Sequence, residues 1–440
     1  SRTPLWRQLA EALRLLILDG RLTLQTRLPG ERELAAALNV SRTTIASALG
    51  QLREEGFLQS RQGSGSRIVL PERPADLPPP SATPSTINLS TAALSAGPEV
   101  HQAFQHAMTL LPPYLAQTGY DQQGLPVLRE AIARRYSERG LPTRPDEVMV
   151  VNGALSAFAL ILRLFTGPGD RVVIDAPTYP MAISAIQGAS CRPIGVALPQ
   201  QGWDCDGFAA IIAQTAPRLA WLMPDFHNPT GRCMDALTRQ RVADIAARTR
   251  TTLVIDETMV DLWYNAPPPP PLACFNPDAA VITIGSAGKS FWGGLRIGWI
   301  VADERIVQRL ADVKMQMDYG ASTLSQWVFA RFLSSGLYDE YMVSLRMQLR
   351  RRRDAALETL ERLFAGRAHW NVPRGGFYVW LTFDEPVRTG RLFQRAIEHG
   401  VLLNPGDIYD FEGDNSLRLS YSYTTPEEFA AAAETLASLV

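Results

Sequence analysis

Only two of the 43 basic residues are lysines, Lys289 and Lys314. Arginine substitutes for lysine as a charge, but its guanidinium is not a usable amine nucleophile, so each lysine in this chain is a candidate for amine chemistry. Lys289 lies in GSAGKSFWGGLRIGW, residues 285–299, after an apolar strand and seven residues before Arg296. An amine able to form an imine, flanked by the Ser286 hydroxyl and a guanidinium, suits a ligand that carries both an aldehyde and a phosphate. The plainer reading is a surface lysine in a glycine-rich loop.

Other positions point to the same chemistry. In TTLVIDETMVDL, residues 251–262, Asp256 ends an apolar strand that should be central. A carboxylate there is costly unless paired, and a protonated pyridine nitrogen would pair it; a helix N-cap is the ordinary alternative. In PDFHNPTG, residues 224–231, Asn228 can donate to a phenolic oxygen, although NPTG is also a common turn. His227 beside it reads as a wall residue. Asn152-Gly153-Ala154 falls between a strand and a helix, where backbone N–H groups of Gly153 and Ala154 can bind phosphate. Tyr179, in APTYP, could stack on an aromatic ring or be a core aromatic. Imine-forming lysine, ring-nitrogen carboxylate, phenol donor and phosphate cradle together make a site for pyridoxal 5'-phosphate (PLP).

The elements that must position these residues are legible from periodicity. Apolar runs at 148–151, 171–175, 219–223, 253–256 and 281–284 alternate with helical patterns, which predicts an α/β body with a largely parallel sheet. After about Leu324 come long helices and a few strands, including 377–381 and 417–420, read as a smaller α+β C-terminal subdomain. Residues 71–87, PERPADLPPPSATPSTI, read as a Pro-rich linker. The expected domains are therefore 1–70, the linker 71–87, and 88–440, with a large subdomain over about 115–325.

The first seventy residues predict a winged helix-turn-helix. A stripe of Leu5, Leu9, Leu13 and Ile17 forms one helix. A second covers 31–38, a turn falls at Asn39-Val40, and a third starts at the N-cap Ser41 and runs to about Glu55. A hairpin around Gly63–Gly65 follows. In such a head the third helix enters the major groove. Arg32, Ser41, Arg42, Thr43 and Thr44, with Arg61 and Arg67 bracketing the wing, are the expected DNA contacts. Ten arginines and six carboxylates give this head +4, so the remainder carries −5 of the net −1. That asymmetry suits a polyanion partner for the head, or simply a solvated surface.

Four cysteines, none in a CxxC pair and none with a His at ligand spacing, argue against a disulfide framework and a structural metal, and fit a reducing cytoplasm. The longest apolar stretch, 148–165, is broken by Asn152, Gly153, Ser156 and Arg163, so no membrane span or membrane partner is expected. No charged-then-apolar leader opens the sequence.

Residues 4–69 resemble the GntR-type winged helix, through PLWRQLAEALRLLI, RLPGERELAAALNVSRTTI and ALGQLREEGFL. Residues 88–440 resemble the fold-type I, class I aminotransferases. Together the two parts resemble the MocR/GabR-type transcription regulators. The resemblance implies a homodimer with PLP at the subunit interface. Tyr120, in YDQQGLPVLREAI, matches a tyrosine that reaches the phosphate of the partner subunit's cofactor. Arg418, in LRLSY, matches the arginine that grips a substrate α-carboxylate. Gly376, in PRGGFYVW, matches a substrate-side loop. At one position the chain departs from the pattern: Met259 stands where the family has a tyrosine that donates to the cofactor's phenolic oxygen, which weakens the case for fast transamination.

The expected function is regulation of operator DNA by an amino-acid-like or amine effector that exchanges with Lys289, rather than physiological catalysis; residual half-transamination is compatible with it. A class I aminotransferase with an accessory DNA-binding head is the alternative. A scaffold that has lost its cofactor is a third reading, opposed by the intact Lys289, Asp256, Asn228, Ser286 and Arg296.

Overall fold

The stripe Leu9, Leu13 and Ile17 does form a helix, α1 (Leu5–Leu18). It packs on α3 (Arg42–Glu54), as does α2 (Glu31–Leu38). Asn39 closes α2 in the left-handed conformation at φ 52°, the tight turn expected there. Ala10, Ile17, Ile45, Ala48, Leu49, Leu52 and Ile68 make the head's own core. The wing pairs β1 (Leu58–Arg61) with β2 (Gly65–Ile68) in antiparallel register, Leu58 opposite Ile68. The computed structural model describes residues 4–18, 22–61, 65–69, 86–409 and 415–440. These fall into two units, within Ser1–Pro84 and Ser85–Val440. Most of the segment read as a linker, 71–85, lies outside the described residues. Its last residue, Ile87, does not continue a linker but opens a strand of the body.

The body begins with β3 (Ile87–Asn88), α4 (Pro98–Leu110) and α5 (Pro126–Glu138). Its sheet is built from β4 (Val148–Val151), β5 (Arg171–Ala176), β6 (Arg192–Ala197), β7 (Leu219–Leu222), β8 (Thr252–Asp256), β9 (Val281–Ser286) and β10 (Gly298–Val301). The spatial order is β4-β10-β9-β8-β7-β5-β6. Only β10 runs antiparallel, pairing β4 on one side and β9 on the other. The helices α6 (Ala154–Phe165), α7 (Pro180–Gly188), α8 (Cys205–Thr215) and α9 (Ala236–Thr249) cover its faces.

Pleating sorts the strand residues between those faces. On β7, Leu219 and Trp221 join one core while Ala220 and Leu222 join the other. On β8, Val254 faces the first and Leu253 and Ile255 the second. Both strands are buried on both sides, which is why they read as continuous apolar runs. A turn follows β10, and then come α10 (Glu304–Lys314), α11 (Thr323–Ser334) and the 28-residue α12 (Leu337–Phe364). The C-terminal subdomain has β11 (Ala368–His369), β12 (Tyr378–Phe383), α13 (Thr389–Glu398), β13 (Val401–Leu402), β14 (Asn404–Pro405), β15 (Ser416–Ser420) and α14 (Pro426–Leu439). Its sheet order is β11-β12-β15-β14, and β13 pairs in parallel with β3. The start of the body is thus woven into its C-terminal subdomain.

Candidate functional site

The candidate residues of the body gather at one edge of the sheet. Strands β4, β5, β7, β8 and β9 all present their carboxyl ends there, the usual location of a ligand crevice in an open α/β sheet. Asp256 ends β8, Ser286 ends β9 with Lys289 in the turn beyond it, and Asn228 follows β7. Tyr179 caps α7 after β5, and Gly153-Ala154 opens α6 after β4.

Burial sets the electrostatics. It lowers the Lys289 ammonium to about 8, the Arg418 charge acting the same way and Asp256 opposing it. It pushes the Asp256 carboxyl up to about 6, although the Thr258 N–H donates to its Oδ1 at 3.0 Å. Burial raises the Tyr179 phenol as well, helped by Asp256 and opposed by Arg418. The neighbouring carboxylate, Glu257, is fully matched: Arg139 donates to both its oxygens at 2.7 and 3.0 Å.

The phosphate-cradle candidates are in direct contact. Arg296, itself left-handed at φ 59°, donates from Nη2 to the Asn152 carbonyl at 2.9 Å. Gly153 has φ 97°, and a Cβ there would lie 2.5 Å from Arg296 Nη2. The guanidinium therefore lies over the bare glycine at the start of α6, where the first N–H groups have no partner within the helix. Ser286 Oγ accepts from Gly288 N–H at 2.9 Å and donates to the Ile297 carbonyl at 3.3 Å, tying the Lys289 turn to β10.

Arg418 comes from β15, opposite Trp380 of β12. It donates to Asn228 Oδ1 at 3.0 Å and to the Ser90 carbonyl at 2.5 Å, and lies over the rings of Tyr378 and Tyr409. Its Nε is buried without a hydrogen-bond partner among the described residues. The loop holding Asn228 is anchored at several points: Arg239 donates to Asp225 at 2.6 Å, both fully buried, and Tyr378 OH donates to the Phe226 carbonyl at 3.0 Å. His227 is a buried wall residue, as expected. Its Nδ1 is 2.8 Å from Thr230 Oγ1 and its Nε2 3.5 Å from Asp175. Burial lowers it to about 3 and raises Asp175 to about 7, so near pH 7 the imidazole is neutral and Asp175 is only partly ionised. Met259 is buried, and Gly376, at φ 80°, is bare where its Cβ would face Met259 Cε and Phe226.

Tyr120 is not brought into this set. It is 72% exposed and its ring lies 5.1 Å from that of Tyr319. Sequence reasoning also missed a segment of the site. The residues after β3 lie over it, where Ser90 and Ala92 offer carbonyls to Arg418 and to Lys289, the latter at 2.5 Å from Nζ. Backbone acceptors carry no residue-type signal, so only the fold could reveal them.

In the head, Ser41 caps α3: its Oγ accepts from Thr44 N–H at 3.0 Å and is 2.7 Å from Thr44 Oγ1. Those two hydroxyls are engaged with each other, whereas Arg32, Arg42 and Thr43 are exposed. Arg67 is exposed and donates to the Gln25 carbonyl at 3.0 Å; the Arg61 side chain lies outside the described residues. Arg53, unmarked in the sequence, donates to Ser60 and Ser66 at 3.0 and 3.4 Å and so fastens α3 to both wing strands.

Residues 5–68 match the family of bacterial regulatory proteins of gntR type, and residues 86–436 match the aminotransferase class I and II family. The chain is 32% identical over 471 residues to the uncharacterized HTH-type transcriptional regulator YisV of Bacillus subtilis, covering 100% of this chain and 97% of YisV. This chain belongs to the MocR-type regulators. A second such regulator, NorG of Staphylococcus aureus, is 29% identical over 428 residues, or 91% and 96% of the two chains. Solved structures similar to the regulator's body are aminotransferases. LysN of Thermus thermophilus, an alpha-aminoadipate aminotransferase complexed with N-(5'-phosphopyridoxyl)-L-leucine, has a TM-score of 0.74 at 26% identity, covering 80% of this chain and 92% of LysN. Kynurenine aminotransferase of Pyrococcus horikoshii has a TM-score of 0.75 at 25% identity, covering 81% and 91%. The MocR-type regulator is thus a DNA-binding head joined to a body of aminotransferase fold. Among the described residues no helix is long and apolar enough to cross a membrane, and no cluster of three His, Cys, Asp or Glu could hold a metal ion.

Proposed function

We propose that this regulator senses an amino-acid-like or amine effector through PLP held at Lys289, and that the segment after β3 carries the signal. The residues present fit the cofactor. Asp256 is a buried carboxyl suited to a cationic ring nitrogen, the Arg296 guanidinium sits against Gly153 at the start of α6 where any Cβ would displace it, and Arg418 has an unmatched Nε. When bound, PLP supplies an aldehyde carbon that joins amines reversibly.

Each residue then has a task. Lys289 Nζ is the resident amine. Asp256 would balance the ring nitrogen, the Asn228 amide would donate to the phenolic oxygen, and Tyr179 would pack on the ring. Ser286, Arg296 and the N–H groups of Gly153 and Ala154 would hold the phosphate. Tyr120, exposed within one subunit, would reach the phosphate held by the other subunit of a homodimer, and Arg418 would take the effector's carboxylate. The complex of LysN with a phosphopyridoxyl-leucine supports such a ligand in this fold.

The observation that carries the regulatory reading is the pair of contacts to Ser90 and Ala92. A cofactor at Lys289 and a carboxylate at Arg418 would each compete with a carbonyl of the one segment that leads back along the chain to the head. Ligand state is thereby turned into strain or release at that segment, which can bias two arrangements of the molecule.

The first test is the absorbance of the full-length protein with PLP, with and without borohydride, for wild type and Lys289→Ala. A visible band in the wild type alone, abolished by reduction, is expected. Operator binding should then respond to members of a panel of amino acids and amines in the wild type and not in Lys289→Ala. An unchanged response in that variant would overturn the mechanism. Sustained amino transfer to 2-oxo acids would favour the aminotransferase reading, for which the fold of the body speaks.

A further inference from the structure

Lys314, the chain's other lysine, is buried, with 2% of its side chain exposed. It ends α10, and its Nζ donates to Asp318 one turn on. Burying an ammonium is costly unless a partner balances it, so the pairing calls for an account. Asp318 supplies one. Its Oδ2 accepts from Asn152 Nδ2 at 3.3 Å, and the Asn152 carbonyl in turn accepts from Arg296 Nη2 at 2.9 Å. Its Oδ1 also accepts from Gly320 N–H at 2.8 Å. Gly320, at φ 115°, is pressed so closely on the Asp121 backbone that a Cβ would overlap it. The loop bearing Asp318 is therefore fixed at both ends, and one chain of polar contacts runs from Lys314 to the Arg296 guanidinium.

A carboxylate in this position raises a problem for the site it supports. Asp318 stands two contacts away from a guanidinium meant for phosphate, and its negative charge would repel that anion. A partner of opposite sign, shielded from solvent, cancels the charge without occupying the cradle. We infer that Lys314 and Asp318 are a positioning pair for the phosphate cradle: Asp318 holds Asn152, and through it Arg296, while Lys314 neutralises a carboxylate that stands two contacts behind that guanidinium. The inference rests on the PLP reading above. It also makes a distinction that a purely structural lysine would not. A lysine needed only for folding would serve a ligand with or without phosphate equally, whereas this pair favours the phosphorylated one.

The test compares binding of PLP and of pyridoxal, which lacks the phosphate, by absorbance titration of the full-length protein. The proteins are wild type, Lys314→Met, Asp318→Asn, the double variant and Asn152→Ala. Lys314→Met should weaken PLP on the order of tenfold and pyridoxal by less than about twofold. The double variant should regain most of the PLP affinity, because the uncompensated carboxylate goes with the amine. Asn152→Ala leaves the buried pair intact and should show the same selectivity in smaller measure, so it decides the matter if Lys314→Met does not fold. Equal weakening of both ligands, or no recovery in the double variant, overturns the inference. A wild type that gives no visible band with PLP removes the PLP reading itself, and this inference with it.

Discussion

Burial drives Lys289 and Asp256 in opposite directions, and both shifts favour the neutral group. With its pKa lowered to about 8, Lys289 holds a free-base fraction of about a tenth at pH 7, far above that of an ordinary lysine. The free base is the nucleophile. The rate at which PLP attaches should therefore rise with pH and level off above about 8, as followed by stopped-flow absorbance; a midpoint above 10 would show that burial does not tune the amine. The same shifts bear on stability. Asp256, raised to about 6, favours the folded state fully below its ordinary value near 3.8 and loses that contribution as pH rises through 6. Lys289, depressed from 10.5, favours the folded state above its ordinary value and loses that contribution as pH falls through 8. Between about 6 and 8 neither contributes, so Lys289→Met should raise the Tm of the PLP-free protein near pH 7. An unchanged or lower Tm would count against a burial penalty. At this scale the sequence marked Lys289 by its rarity and Asp256 and Asn228 by their flanks, and Arg418 through the resemblance alone; the structure brings the side chains of Arg418 and Asn228 into contact and sets Lys289 and Asp256 beside them. Lys314 was visible as a rare residue, but its partner Asp318 lies in a loop with no pattern of its own.

Helices and strands hold these side chains where isolated residues could not. The Asn228 loop depends on α9 through Arg239, which meets Asp225 with neither group exposed. Removing one partner of such a pair leaves an uncompensated buried charge, so Arg239→Met should cost about 3–5 kcal/mol in chemical denaturation. Adding Asp225→Asn should recover part of the loss; no recovery would mean that Arg239 acts by packing alone. Gly298 of β10 is a second dependence, since a Cβ there would come within 2.8 Å of the Gly153 carbonyl carbon. The antiparallel strand is seated against the cradle. Here the sequence was less informative. Five strands of the large sheet stood out because they are buried on both faces, but β6 and β10 did not. β6 is an edge strand, half-buried and containing Pro193 and Gly195, which dilute the apolar signal. β10 is four residues long and begins with glycine, so nothing marked its reversed direction.

At the scale of the whole molecule, the proposed signal would follow the chain that joins the two units, which on the body side leads into β3 and the carbonyls of Ser90 and Ala92. Among the further ties of this segment are two from serine side chains. Ser420 Oγ donates to the Thr91 carbonyl at 2.7 Å, and Ser422 Oγ donates to that of Ala93 at 2.8 Å. Neither serine is proposed to touch cofactor or effector, so they offer a way to loosen the segment without altering ligand recognition. If the ligand-free body holds the segment in one arrangement and an effector releases it, Ser420→Ala with Ser422→Ala should shift the balance before any effector is added. Operator affinity of the effector-free variant, measured by fluorescence anisotropy at fixed salt, should move towards the value of effector-saturated wild type, in whichever direction that lies. The further response to effector should shrink accordingly, because a ligand can shift an equilibrium only by its differential affinity for the two states. By linkage, operator DNA should alter effector affinity by the same factor as effector alters operator affinity, and that factor should be smaller in the variant than in wild type. A folded variant whose operator affinity matches wild type with and without effector would place the signal elsewhere than in residues 89–93.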